Sequence, residues 1–130
     1  YKRQVQIGTR FALTDESSAS PVFKDYCLSL GEGDTKLLLK KLAPTRLVKN
    51  AFREAVEKAE DSGASAEELR SLLGKGRAKK GMFEGDLEEG ELEIGQVSAI
   101  ISRRQSVAEV MNELVESYWQ AVEKKYLFER

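Results

Sequence analysis

The sequence predicts a mainly α chain with one short strand near its start and four to five helices after it. Three observations predict this. A short β-type run, Val5-Gln6-Ile7, is broken at once by Gly8. Two serine–glutamate pairs three residues apart, Ser65/Glu68 and Ser106/Glu109, have the spacing of helix capping boxes. Apolar residues recur at helical spacing after Val107.

At 130 residues the chain fits one domain, 1–130, and is too short to close a β/α barrel, which takes roughly 200 residues or more. Lys+Arg is 21 and Asp+Glu is 22, a net charge of -1, which argues against a nucleic-acid binder. No apolar run is long enough to span a bilayer, and no signal-peptide core follows Tyr1-Lys2-Arg3-Gln4. Cys27 is the single cysteine, which excludes an intrachain disulfide and suits a cytoplasmic location. Histidine is absent, which removes Ser–His and Cys–His chemistry and any His-ligated metal from this stretch. No metal site and no catalytic residue is expected within it.

The opening run is read as a strand ending in Gly8-Thr9. Such an end leaves backbone N–H groups and a hydroxyl free, and glycine lets a phosphate approach closely. The plain alternative is a strand end without a ligand. Ser20-Pro21 predicts an N-cap with proline at the first helical position, and Phe23, Cys27 and Leu30 share a face. Cys27 is expected to be a small core residue. Thr35 to Leu42 fits a strand or a helix. Beyond Pro44, Thr45 is expected to cap a helix carrying Val48, Phe52, Ala55, Val56 and Ala59. Ser65 opens a short helix with Leu69, Leu72 and Leu73, closed by Gly74.

From Gly74 to Gln96 a basic half (Lys75, Arg77, Lys79, Lys80) precedes an acidic one (Glu84, Asp86, Glu88, Glu89, Glu91, Glu93), interrupted by glycines. It reads either as a solvated loop whose halves neutralise each other or as a long ordered loop over a site. Gln96 to Ser102 is expected to be a short buried helix. Ser106 opens the strongest helix. Its broad face, Val107, Val110, Met111, Leu114, Val115, Tyr118, Trp119 and Val122, is expected to be core. A lone strand is not stable by itself, so the chain reads as the tail of something larger.

Two stretches together resemble a known family. Val5-Gln6-Ile7-Gly8-Thr9-Arg10-Phe11 followed by Glu16-Ser17 is similar to the last barrel strand of the nitronate monooxygenases (formerly 2-nitropropane dioxygenases), which are FMN-dependent TIM barrels. Arg46-Leu47-Val48-Lys49-Asn50, Gly81-Met82-Phe83-Glu84-Gly85-Asp86, Gly90 and Gly95-Gln96 resemble the same family in the same order. The Gly81–Asp86 form, with Gly90-Glu91-Leu92-Glu93-Ile94-Gly95-Gln96 after it, looks most like the flavin-dependent enoyl-acyl-carrier-protein reductase branch.

The resemblance implies the carboxyl-terminal part of an α/β TIM-barrel enzyme. The last barrel strand would lie at about 5–11 and a helical region would follow. It implies an FMN-dependent oxidoreductase of fatty-acid synthesis, using NAD(P)H on an acyl-carrier-protein-linked or small-molecule substrate and forming a homodimer. Gln6, Ile7, Gly8 and Thr9 match the segment that holds the flavin phosphate. Gly95-Gln96 matches a motif near the barrel mouth, and Arg46 to Asn50 a structural helix start. The family's catalytic histidine lies upstream of the last strand, so these residues alone are expected to be inactive and to bind flavin poorly. Nitronate oxidation is the alternative within the family. No nucleic-acid or membrane partner is expected. A small helical interaction module without catalysis, binding a partner through the apolar face of the last helix or the charged loop, is the alternative of another class.

Overall fold

The computed structural model describes residues 4–128, with side chains described through 124. Among the described residues are five helices, α1 (Thr9–Ala12), α2 (Pro21–Leu28), α3 (Ala51–Asp61), α4 (Ala66–Leu73) and α5 (Val107–Phe128), and one two-stranded sheet of β1 (Thr35–Leu38) and β2 (Thr45–Val48). A π-helical turn, Lys79–Phe83, and a 3₁₀ turn, Gln96–Ile100, lie between α4 and α5.

The local signals that rest on caps hold. Ser20 Oγ accepts the Phe23 N–H at 3.1 Å and Pro21 opens α2, which buries Phe23 and Cys27. Ser65 and Glu68 form a reciprocal capping box on α4, and Leu69 is fully buried. Glu109 Oε2 accepts the Ser106 N–H at 2.7 Å, while Ser106 Oγ accepts the Glu109 N–H at 3.2 Å.

Where the outcome depends on a distant partner, the structure departs from the sequence reading. The ambiguous stretch after Thr35 is a strand because it finds an antiparallel mate across Pro44, with Thr35 opposite Val48 and Leu38 opposite Thr45. The turn between them places buried Leu39 at φ 56°, a left-handed conformation costly for leucine, which its burial offsets. Thr45 is therefore in β2 and caps no helix. The cap of α3 is Asn50, whose Oδ1 accepts the Arg53 N–H at 2.8 Å. Its Nδ2 also donates to the carbonyls of Leu87 (3.0 Å) and Gly90 (2.8 Å), which ties the glycine-rich loop to α3.

Leu92 to Ile94 runs beside β2: the Val48 N–H donates to Leu92 O at 3.0 Å and the Ile94 N–H to Arg46 O at 3.3 Å. Alternation along β2 then divides the interior. Val48 packs with Leu13, Phe23, Cys27, Leu92, Ile94 and Ile101. Leu47 packs with Leu38, Leu39, Phe52, Val56 and Leu69.

Three further expectations are corrected. Residues 4–8 have no regular structure, and Thr9–Ala12 is a helical turn, so the strand expected at 5–11 is not formed among the described residues. A strand needs neighbours to bond its backbone, and none is at hand here. The Gln96–Ser102 segment is not a buried helix: Ile100 is 81% and Val97 45% exposed, and its buried residues are Ser98 and Ile101. The broad face of α5 is not core. Val110 is buried, but Val107, Met111, Leu114, Val115, Tyr118 and Trp119 are exposed by 36–61%. Helical periodicity reports an apolar face, not what covers it.

Candidate functional site

The four residues singled out at the start of the chain stay together. Gln6, Ile7, Gly8 and Thr9, with Arg10 and Val97, line a cavity of about 540 Å³. The Gly8–Thr9 pair also lines a second cavity, of about 360 Å³, with Ala12, Arg46, Met82, Glu93, Ile94 and Gly95. The pair thus lines both hollows.

Gly8 has an ordinary φ of −98°, and a Cβ built on it meets nothing within 4 Å. Neither conformation nor packing within this chain requires glycine there. Thr9 is held from the far end of the chain: the Gly95 N–H donates to Thr9 Oγ1 at 3.0 Å. That bond uses the hydroxyl as an acceptor and leaves its proton to donate elsewhere. A Cβ on Gly95 would lie 2.6 Å from Thr9 Oγ1, so the contact depends on glycine.

Gln96, next in sequence, does not join Gly8 and Thr9. It lines a separate cavity of about 310 Å³ with Gly31, Glu32, Gly33, Thr35, Arg46 and Ala99. Arg46 is half-buried and spans this cavity and the one beside Thr9. Within the Arg46–Asn50 segment, Arg46 to Val48 end β2 and Asn50 caps α3.

The charged loop is ordered and largely self-neutralised. Lys80 pairs with Asp86 at 2.8 Å, Lys79 with Glu84 at 3.1 Å and Arg77 with Glu89 at 3.5 Å, while the Arg77 guanidinium sits 4.5 Å from the Phe52 ring centre. Asp86 Oδ1 also accepts the N–H groups of Glu88 and Glu89. The Lys80 ammonium, together with these N–H groups, lowers the Asp86 carboxyl to about 2. Gly81 and Gly90 cross back to back; a Cβ on Gly90 would lie 2.2 Å from Gly81 Cα. Burial raises the Glu91 carboxyl to about 6, with the charge of Glu93 adding to it. Burial pushes the Cys27 thiol up to about 12, which makes it an inert core residue, as the sequence suggests. No cluster of three or more metal-ligating side chains occurs among the described residues.

The sequence reading missed the residue after Thr9. Arg10 Nη2 donates to Glu113 Oε2 of α5 at 2.7 Å and to Gln105, which is itself buried and bonded to Glu113. Arg10 and Glu113 are 103 positions apart, so no local pattern announces the contact.

Residues 3–117 match the family described as nitronate monooxygenase. The chain belongs to the nitronate monooxygenase family. It is also similar to solved structures of FabK from Thermotoga maritima. One matches with 27% identity and a TM-score of 0.84, covering 95% of this chain and 39% of that one. A point mutant of the same protein matches with 25% identity and a TM-score of 0.78, covering 95% and 37%. The chain thus spans about 39% of the length of that relative. Its mainly helical fold with one small sheet is that of part of a TIM-barrel protein. Among the described residues no helix is long and apolar enough to cross a membrane.

Proposed function

We propose that this member of the nitronate monooxygenase family is the carboxyl-terminal part of an FMN-dependent oxidoreductase, and that Gln6, Ile7, Gly8 and Thr9 hold the FMN phosphate. The observation that carries the reading is the Gly8–Thr9 pair, which lines two cavities. Its glycine is open to close approach, and its hydroxyl, fixed as an acceptor by Gly95, keeps a proton to donate. No N–H of Gly8 or Thr9 is bonded to backbone among the described residues. These groups suit a phosphate, which takes several donors at once. Gln6 and Ile7 wall the larger cavity. Bound flavin supplies the hydride chemistry, and this chain's part is to bind and orient it.

For the whole protein the reading is an enoyl-acyl-carrier-protein reductase, drawing on NAD(P)H in the cytoplasm as a homodimer. The similarity to FabK and the Gly81–Gln96 motif support it. The second reading is nitronate oxidation with oxygen, favoured by the description of the matched family. Family membership weighs against a purely non-catalytic interaction module.

The test is to purify the full-length protein, assay bound FMN, and follow NADH and NADPH oxidation with an enoyl thioester beside oxygen uptake with a nitronate. Thioester-dependent oxidation supports the reductase; nitronate-dependent oxygen uptake alone replaces it with the second reading. Residues 1–130 alone are expected to turn over neither.

A further inference from the structure

We propose that Arg10 is a positioning residue for the Gly8–Thr9 segment, locked by Glu113, so that the geometry of the candidate phosphate site depends on the docking of α5. The inference rests on the flavin reading above. Arg10 follows Thr9 directly, and its side chain lines both the Gln6–Thr9 cavity and a neighbouring one of about 490 Å³ that includes Gln105, Glu113 and Leu114. Its guanidinium is engaged within the protein. Nη2 is bonded to Glu113 Oε2 at 2.7 Å and to Gln105.

Each partner is anchored in turn. The Gln105 carbonyl accepts the Asp15 N–H at 3.0 Å, and its side-chain amide donates to Glu113. Arg103 Nη2 donates to Glu113 Oε1 at 3.2 Å. The start of α5 is fixed where both Glu16 carboxylate oxygens accept the Val107 N–H at 3.0 Å. The Glu113 carboxyl is accordingly held below the ordinary range by Gln105 and then by Arg10.

Glu113 is about half exposed, and pairs of that exposure add little to stability. What the network fixes is place. Gly95 holds Thr9, and Glu113 and Gln105 hold the adjoining Arg10, so two neighbouring residues of the candidate site are each tied to the far end of the chain.

The experiment titrates FMN into the flavin-free full-length protein, reading the quenching of flavin fluorescence, for wild type, Arg10→Ala, Glu113→Gln and the charge exchange Arg10→Glu with Glu113→Arg. Circular dichroism checks folding. Both single changes are expected to weaken FMN binding roughly tenfold, the scale of one charge-assisted hydrogen bond, and the exchange to recover most of the loss. If Arg10→Ala fails to fold, the isosteric and exposed Glu113→Gln carries the test. Unchanged affinity in the single variants overturns the proposal. So does tighter binding by Glu113→Gln, which would make Arg10 a direct phosphate ligand released from a competitor. A wild-type protein that takes up no FMN refutes the flavin reading itself, before any variant is compared.

Discussion

The Gly95 N–H donates to the Thr9 hydroxyl oxygen at 3.0 Å across 86 positions of chain, joining the two motifs that most resemble the family. The contact is close enough that glycine is required at one end. A Cβ on residue 95 would sit 2.6 Å from Thr9 Oγ1. Gly95→Ala is expected to destabilise the protein by about 1–3 kcal/mol, the usual cost of overpacking, as measured by urea unfolding. Gly8→Ala, with open space at its Cβ and φ −98°, is expected to stay within about 0.5 kcal/mol of wild type. A large loss for Gly8→Ala would mean that its glycine is structural after all.

Gly90→Ala is expected to cost more than Gly95→Ala. Its Cβ would meet Gly81 Cα at 2.2 Å and Asp86 O at 2.3 Å, and backbone on both sides has less room to yield than a side-chain hydroxyl. The same unfolding series ranks the two; equal midpoints would show that the loop gives way more easily than its packing implies.

Leu69 and Leu114 separate the two kinds of apolar helix face. Leu69 is fully buried, and Leu69→Ala is expected to cost about 2–5 kcal/mol. Leu114 is 37% exposed, so in this chain Leu114→Ala is expected to fall well below that range, against the buried role its periodicity suggests. Unfolding of the 130-residue chain decides it; equal losses would place α5 in the core.

Glu91 gives a pH dependence of definite sign. Its carboxyl is raised to about 6 in the folded protein by burial and by Glu93, above an ordinary 4.5. The folded state therefore holds this proton more tightly than the unfolded one. The stability it contributes is complete below about pH 4.5 and is lost as the pH rises through about 6. Glu91→Gln removes that loss. Its Tm relative to wild type is expected to rise between pH 5 and about 7. A constant difference across that range would mean that Glu91 is not titrating there.

The legible part of the fold was the part written locally. Ser20, Ser65 and Ser106 each announce a cap within three residues, and the caps are where the sequence puts them. Pairing across a distance was not legible. Thr35–Leu38 becomes a strand only because Thr45–Val48 lies against it, and Thr45 therefore caps nothing. The face of α5 looks like core because period alone cannot say whether another element covers it. At the candidate site the sequence singled out Gly8 and Thr9, but as the end of a strand that is not formed among the described residues. Arg10 was not legible, because its meaning comes from Glu113 and Gln105 at the other end of the chain.

Whether Gly8 and Thr9 hold the FMN phosphate is decided by the FMN content of the full-length protein carrying Gly8→Val, set beside wild type. A Cβ at this position meets nothing within 4 Å in this chain, and the branched side chain beyond it fills the approach proposed for the phosphate. The variant is expected to keep wild-type circular dichroism and unfolding midpoint and to lose most of its FMN. A Gly8→Val protein that retains FMN with unchanged affinity would contradict that role and place the phosphate elsewhere.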